Sequence, residues 1–301
     1  MEKMALIERK SIVVTGANGL LGRNAIEELS KRHEIHAVVR AIPDSPVSGV
    51  SYHIVDLASD WDWGSLPKKT DAVFHLAQSK RMREFPEQAL DIYQVNLGAT
   101  AKLLDYARSA GAAHFVFTST GGLYGAGAQA FGESSPLCSP EGVLKYYFDT
   151  KYCGEILAKN YADFMGVVIL RPFFIYGPGQ NSTMLVPRLI NSVRKRQLIS
   201  INGETGIRIN PIYVSDAVIA LEATLGLQGQ HTINIAGPEI VTLRRLVEAI
   251  GEAMHIKPIF NFSAGEPQDV VADINLMSQL LTVPVTRVVS GINRLIQCHD
   301  A

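Results

Sequence analysis

Tyr147 and Lys151 stand four positions apart in KYYFDTKYCGE, and none of the other tyrosines among the ten has a lysine at that spacing. On a helix this sets the two side chains one turn apart on one face. A free phenol ionises only near about pH 10, and an adjacent ammonium or oxidised nicotinamide favours the phenolate, bringing it toward a useful acid–base range. Upstream, Ser119 and Thr120 offer a hydroxyl pair, of which Thr120 would hold a substrate oxygen. Further upstream, TGANGLLG (Thr15 to Gly22) follows the short apolar run SIVV and leads into a helical stretch, Leu20 to Lys31. Gly16, Gly19 and Gly22 let the backbone turn tightly against a pyrophosphate, and the helix N-terminus supplies free NH groups and the positive end of a dipole. Asn18 and Gly19 fall where the usual GxGxxG would already have its second glycine, so the turn departs from that fingerprint. Strand, glycine turn, hydroxyl pair and Tyr/Lys helix arrive in the order one site needs. Together they describe hydride transfer to or from a nicotinamide.

Positioning these groups requires a sheet. Apolar runs at Ile35 to Val39, Tyr52 to Val55, Ala72 to Leu76, His114 to Thr118 and Val167 to Leu170 alternate with helical patterns. A long helix is predicted from near Pro86 or Glu87 to just before Gly111, with Leu97, Ala101, Leu104 and Ala107 as its apolar face. The pattern implies an α/β fold, a Rossmann-type doubly wound parallel sheet, whose ligands bind beyond the carboxyl ends of the strands. The glycine turn, Arg40, Asp56, Ala77 and Thr120 would all fall there. From about residue 172 the pattern changes to a helix over Met184 to Arg196, a strand over Leu198 to Ile201, an Asn202/Gly203 turn and a helix over Leu243 to Met254. These elements predict a smaller, interleaved C-terminal substrate-binding domain. IYVSDAVIALEATL reads as a strand and a packing helix that re-enter the first domain. The expected division is 1–171 plus about 210–236 for the dinucleotide, and about 172–209 plus 237–301 for the cap.

Taken jointly, these motifs resemble the extended short-chain dehydrogenase/reductase superfamily, the branch of NAD(P)-dependent nucleotide-sugar epimerases, dehydratases and reductases. The resemblance spans nearly the whole chain. TGANGLLG matches the family's TGxxGxxG, so Gly16, Asn18, Gly19, Leu20, Leu21 and Gly22 are expected on the cofactor. Asp56 and Leu57 match its adenine-contacting pair, and HLAQ matches its fourth-strand signature, which brings in Leu76, Ala77 and Gln78. VNLGAT supplies Asn96, which by resemblance supports the cofactor side, as does Thr118, the residue before STGGLYG. Within that stretch the resemblance makes Thr120 the catalytic hydroxyl, beside Tyr147 and Lys151. LRPFFIYGPG and IRINPIYVSDA resemble the family's passage toward the sugar pocket and its later nucleotide-contacting segment.

Departures from the family pattern sharpen the expectation. Arg40 ends the second strand where an NAD enzyme usually shows Asp or Glu; a guanidinium there can pair with a ribose 2′-phosphate, so Arg40 favours NADP, with NAD the alternative. A solvated strand-end arginine is the plainer reading of the same residue. Gly121 and Gly122 leave no acidic side chain just after Thr120, which makes dehydration the least favoured chemistry. Phe173 is expected near the nicotinamide, and Phe174 near the sugar, where family epimerases often show asparagine. Arg208 is a candidate for the substrate diphosphate, Lys80 for the sugar, and Asn181 lies in a Gly/Gln/Asn/Ser loop suited to a lid. Tyr124, Tyr176 and His75 read as core.

Composition narrows the function classes. The 301 residues are 47% hydrophobic and 19% charged, ordinary for a globular enzyme with a sizeable core. A net charge of -1 argues against a nucleic-acid or membrane-surface partner; RLINSVRKR is the nearest thing to a basic run and reads as a helix face. Cys138, Cys153 and Cys298 are odd in number and lack metal spacing, so reduced thiols, no metal and a cytoplasmic location are expected. MEKMALIERK lacks the long apolar core of a signal peptide or membrane helix, and the ends are expected as synthesised. The resemblance implies a homodimer formed by the helices containing 87–110 and 147–165. The function expected is epimerisation of a nucleotide-diphosphate sugar through a transient keto sugar. An NADPH-dependent reductase of a keto sugar or other carbonyl is the alternative, and a non-catalytic dinucleotide-binding regulator stands behind both.

Overall fold

Four mainly apolar strands form the centre of the protein: β1 (Ser11–Thr15), β4 (Ala72–His75), β5 (His114–Thr118) and β6 (Gly166–Pro172). Near-continuous apolar runs of this kind suit strands covered on both faces. The computed structural model, which describes residues 8–265 and 268–300, adds β2 (Glu34–Val39), β3 (Val50–Ile54) and β9 (Gln230–Ile235) to make seven strands in the order β3-β2-β1-β4-β5-β6-β9. β1 pairs in parallel with both β2 and β4, so the winding reverses beside β1, the switch point at which open α/β sheets bind ligands. Helices α1 (Leu20–Leu29), α2 (Ala89–Tyr93), α3 (Ala99–Ser109) and α4 (Lys145–Lys159) lie between these strands in the chain. The N-terminal segment up to Ile7, considered above for targeting, lies outside the described residues, as does the side chain of Cys298.

The long helix predicted before β5 exists, and of its predicted apolar face Leu104 and Ala107 are buried, whereas Leu97 and Ala101 are not. Between α2 and α3 the chain makes a π-helical turn, Gln94–Gly98, which takes in one more residue than an α turn. Ala101 is exposed and Leu97 half-buried, while Asn96, Thr100, Leu103, Leu104 and Ala107 face inward.

The remaining elements are α5 (Leu185–Arg194), β7 (Leu198–Asn202), β8 (Arg208–Ile209), α6 (Val214–Ala223), β10 (Val241–Thr242), α7 (Leu243–Met254), β11 (Ile259–Ser263), α8 (Asn275–Leu280) and α9 (Val288–Asp300). β7 pairs in parallel with β11, and β8 pairs antiparallel with β10. Backbone contacts divide the chain into two units. One holds the described residues up to Ser119, with Glu141–Ile169 and Thr224–His231; the other holds Thr120–Pro140, Leu170–Ala223 and the described residues from Thr232 on. The passage expected at about 210–236 therefore returns to the first unit only over Thr224–His231. The strand expected at its start is reduced to one bridge, Tyr176 to Tyr213.

Asp216 explains much of that difference. Buried in α6, its carboxylate accepts hydrogen bonds from Val285 N (2.9 Å), Thr286 N (2.7 Å) and Thr286 Oγ1 (2.9 Å), which ties α6 to the segment leading into α9. Among the described residues, no helix is long and apolar enough to cross a membrane. Removing the carboxylate strands the buried amide and hydroxyl of Thr286 and the part-buried amide of Val285, so Asp216→Ala should lower unfolding free energy by about 2–4 kcal/mol in urea titrations. A loss below about 0.5 kcal/mol would show that water or a neighbour replaces Asp216.

Candidate active site

The glycine turn is built as tightly as a dinucleotide cradle requires. Gly16 adopts φ +67, and a Cβ there would lie 2.8 Å from the backbone of Ala77. A Cβ on Gly22 would lie 2.2 Å from Gly16 O, so α1 can start against the turn only with glycine at that position. Gly19 caps α1 with no side-chain hydrogen bond, which leaves the first helical amides to a ligand. These observations fit an anionic pyrophosphate. Asn18 Nδ2 donates to Ala41 O (2.9 Å), fastening the turn to the end of β2, where Arg40 is exposed. After β3, Leu57 is buried and Asp56 is exposed, with Oδ1 accepting from Ala58 N at 3.1 Å.

A chain of buried polar groups connects this turn to α4. Thr100 Oγ1 donates to Asn96 O (2.7 Å), so it can only accept from His75 Nε2 (3.0 Å). That fixes the proton of His75 on Nε2 and makes Nδ1 the acceptor for Thr15 Oγ1 at 2.7 Å. Thr15 Oγ1 in turn accepts from Ala77 N (3.3 Å). The tautomer requires a neutral ring; burial, with the Lys151 charge, pushes His75 down to about 3. From the π turn, Asn96 Oδ1 accepts from Ser79 N (2.9 Å), and Asn96 Nδ2 donates to Thr150 Oγ1 (3.0 Å), which donates to Tyr147 O (2.8 Å). The irregular turn thus points Asn96 at both the chain after β4 and the helix carrying the phenol.

On α4, Tyr147 and Lys151 are both buried one turn apart. The Tyr147 hydroxyl donates to Gln78 Oε1 (2.9 Å), and Lys151 Nζ donates to Thr118 O (2.6 Å), 4.9 Å from the centre of the Phe117 ring. Gly154 makes this approach possible, since a Cβ there would fall 2.5 Å from that same ring. Burial drives the Lys151 ammonium down to about 7, and the charge of Glu155 opposes that shift. Near neutrality, then, the lysine can hold or release a proton. Ser119 is not free to serve a substrate, because its hydroxyl donates to Glu155 Oε1 at 2.5 Å, both groups buried.

These cofactor-side and acid–base residues lie in the first unit, except Phe173. Lys80 is exposed after β4 in the same unit, and the Thr118 hydroxyl is buried without a partner. The second unit holds Thr120, Phe173, Phe174, Asn181 and Arg208. Thr120 follows β5 and accepts from Gly122 N (3.1 Å), capping a short turn, Gly121–Tyr124. Phe173 packs over Gly121, where a Cβ would meet its ring at 2.3 Å, and stacks near Tyr124 at 6.0 Å. Phe174 is half-buried at φ +47, a left-handed backbone that bulky residues rarely take and asparagine takes more readily. Asn181 Oδ1 accepts from Thr183 N and Oγ1 (2.9 Å each), closing the turn before α5. Arg208 is paired: its Nε donates to Asp269 Oδ2 (2.6 Å), its backbone NH to Asp269 Oδ1 (2.7 Å), and its Nη2 to Ala128 O (3.2 Å).

Sequence reasoning missed Thr15, Thr100, Thr150, Glu155 and Asp269. Only Glu155 left a trace, as the third member of a Tyr/Lys/Glu series at four-residue spacing on one face of α4.

Known proteins bear on this geometry. The chain is 32% identical to an uncharacterized UDP-glucose epimerase, YtcB, of Bacillus subtilis, over 93% of this chain and 95% of that one. Among solved structures it resembles MoeE5 in complex with UDP-glucuronic acid and NAD, with TM-score 0.83 and 26% identity over 96% of this chain and 99% of that one. A UDP-glucuronic acid 4-epimerase from Bacillus cereus, solved with UDP-glucuronic acid and NAD, gives TM-score 0.82 and 25% identity over 95% and 98% of the two chains. Residues 12–236 match the NAD dependent epimerase/dehydratase family, and the protein belongs to that family.

Proposed function

We propose that this protein is an NAD-dependent epimerase of a UDP-linked sugar, acting through a transient keto sugar. The observation that carries this reading is the buried Tyr147–Lys151 turn, with its phenol and ammonium held by groups at the carboxyl ends of β4 and β5. Similarity to proteins solved with UDP-glucuronic acid and NAD supports the choice of ligands. The cradle at Gly16–Gly22 would hold the pyrophosphate, Asp56 and Leu57 the adenosine side, and Leu76, Ala77, Gln78, Asn96 and Thr118 the approach to the nicotinamide. When bound, the nicotinamide supplies reversible acceptance of hydride from the sugar carbon. The chain's own groups manage the proton. Tyr147 takes it from the sugar hydroxyl as a base and returns it as an acid, Lys151 stabilises the phenolate, and Thr120 holds the sugar oxygen. The second unit would serve as the substrate cap, with Arg208 receiving the diphosphate once Asp269 yields it.

One observation favours the second reading, an NADPH-dependent reductase: Arg40 is exposed at the end of β2, next to Ala41, whose carbonyl Asn18 of the glycine turn holds. We nevertheless assign NAD, because an epimerase returns its hydride and needs no consumable reductant. Denaturing the purified protein and identifying the released dinucleotide distinguishes the two. Near-stoichiometric NAD or NADH is expected; a protein that comes out empty and takes up NADPH in preference would make it the reductase. Tyr147→Phe should reduce epimerisation of UDP-sugars by at least about a hundredfold while NAD still binds, and retained turnover would remove the phenol from the chemistry.

The reading includes a homodimer. Leu90 and Tyr93 on α2 and Tyr152 and Ile156 on α4 are exposed apolar side chains on two helices in contact, a surface a second copy would cover. Ile156→Glu should convert a dimer to a monomer in sedimentation, and an unchanged sedimentation coefficient would place any interface elsewhere.

A further inference from the structure

Glu155 has no role in the chemistry above, yet it is a buried carboxyl on the same face of α4 as Tyr147 and Lys151. Several groups among the described residues face the Lys151 ammonium. β5 presents the Thr118 carbonyl and the Phe117 ring, β4 presents neutral His75, and α4 itself presents Tyr147 and Glu155. Of these, the Glu155 carboxylate is the one that acts to favour the ammonium. A buried cation facing only a carbonyl, a ring and neutral groups would shed its proton. The proton's other available place is the Tyr147 phenol, and a phenol beside a neutral amine is a poor base.

We propose that Glu155 is a positioning residue for the Tyr147/Lys151 pair: its carboxylate, anchored by the Ser119 hydroxyl, holds the shared proton on Lys151 Nζ and so keeps Tyr147 available as phenolate. Two arrangements of the pair bear the same number of protons, phenol with amine and phenolate with ammonium. A fixed negative charge next to Nζ favours the second. Ser119 serves this arrangement by fixing the carboxylate, which is why only Thr120 of the hydroxyl pair remains for substrate. The inference rests on the acid–base roles assigned to Tyr147 and Lys151, and it adds the group that sets their protonation.

The test is Glu155→Gln, which removes the charge and keeps an oxygen for Ser119. Two readouts are needed. The first is the part of the ultraviolet tyrosinate titration that disappears in Tyr147→Phe, measured on the NAD-loaded protein without substrate. The second is the pH profile of kcat and KM for UDP-sugar turnover. In Glu155→Gln the Tyr147 signal should appear at a pH higher by about one to two units. At neutral pH kcat should fall about tenfold for each unit of that shift, with KM changed less than about twofold. Glu155→Asp, which keeps the charge, should restore most of both. A Gln variant whose titration and pH profile match the parent would overturn the proposal. Should that variant fail to fold, Ser119→Ala reads the same quantity: it keeps the charge but frees it, so the titration should move in the same direction by less, and no movement would overturn the proposal equally. A parent protein that epimerises no UDP-sugar would count against the function, while the tyrosinate titration would still judge Glu155.

Discussion

An ammonium is held inside the protein against the carbonyl of Thr118, and much of the first unit is arranged around that burial. Lone buried charges are costly, and this one is tolerated because a carbonyl, an aromatic face and a carboxylate surround it. The approach of α4 to β5 follows from the same requirement. Gly154 lets the helix lie against the Phe117 ring, close enough for a lysine to reach the end of the strand. The charge also acts on its neighbours, helping keep His75 neutral, and a neutral His75 is what the hydrogen-bond chain from Thr15 to Asn96 needs. Electrostatics and hydrogen bonding therefore specify one arrangement rather than two separate ones.

The second unit is held by a different logic. Among its internal ties are carboxylates placed on backbone amides and on a guanidinium: Asp216 on Val285 and Thr286, Asp269 on Arg208. Aromatic stacking of Tyr124, Phe131 and Phe173 supplies its apolar centre near the short turn capped by Thr120. Phe174 keeps a left-handed backbone at the edge of that cluster, a conformation that costs energy for a bulky residue and persists only where the surroundings impose it.

Local features were legible in the chain itself. The glycine turn, the alternation of strands and helices, and the Tyr147/Lys151 pair each depend on spacings of a few residues, which periodicity and backbone chemistry read directly. What escaped was set by contacts between distant segments. That Ser119 belongs to Glu155, that Arg208 is met by Asp269, and that α6 groups with the C-terminal segment all depend on pairings across tens of residues. No local pattern encodes these. In the helix before β5, a row begun at Leu97, inside the π turn, runs beside the inward row of Thr100, Leu103, Leu104 and Ala107 and so includes the exposed Ala101.

That change of period has a consequence for how such a chain tolerates alteration. Gln94–Gly98 stores one residue more than a regular helix of the same rise would use, and the surplus sits at the turn that presents Asn96 to Ser79 and Thr150. Deleting it would leave a more regular helix and would carry Asn96 about a quarter-turn away from both partners. The support of the site is thus written as a length, not only as a residue type, and a residue-by-residue inspection that keeps length constant passes over it.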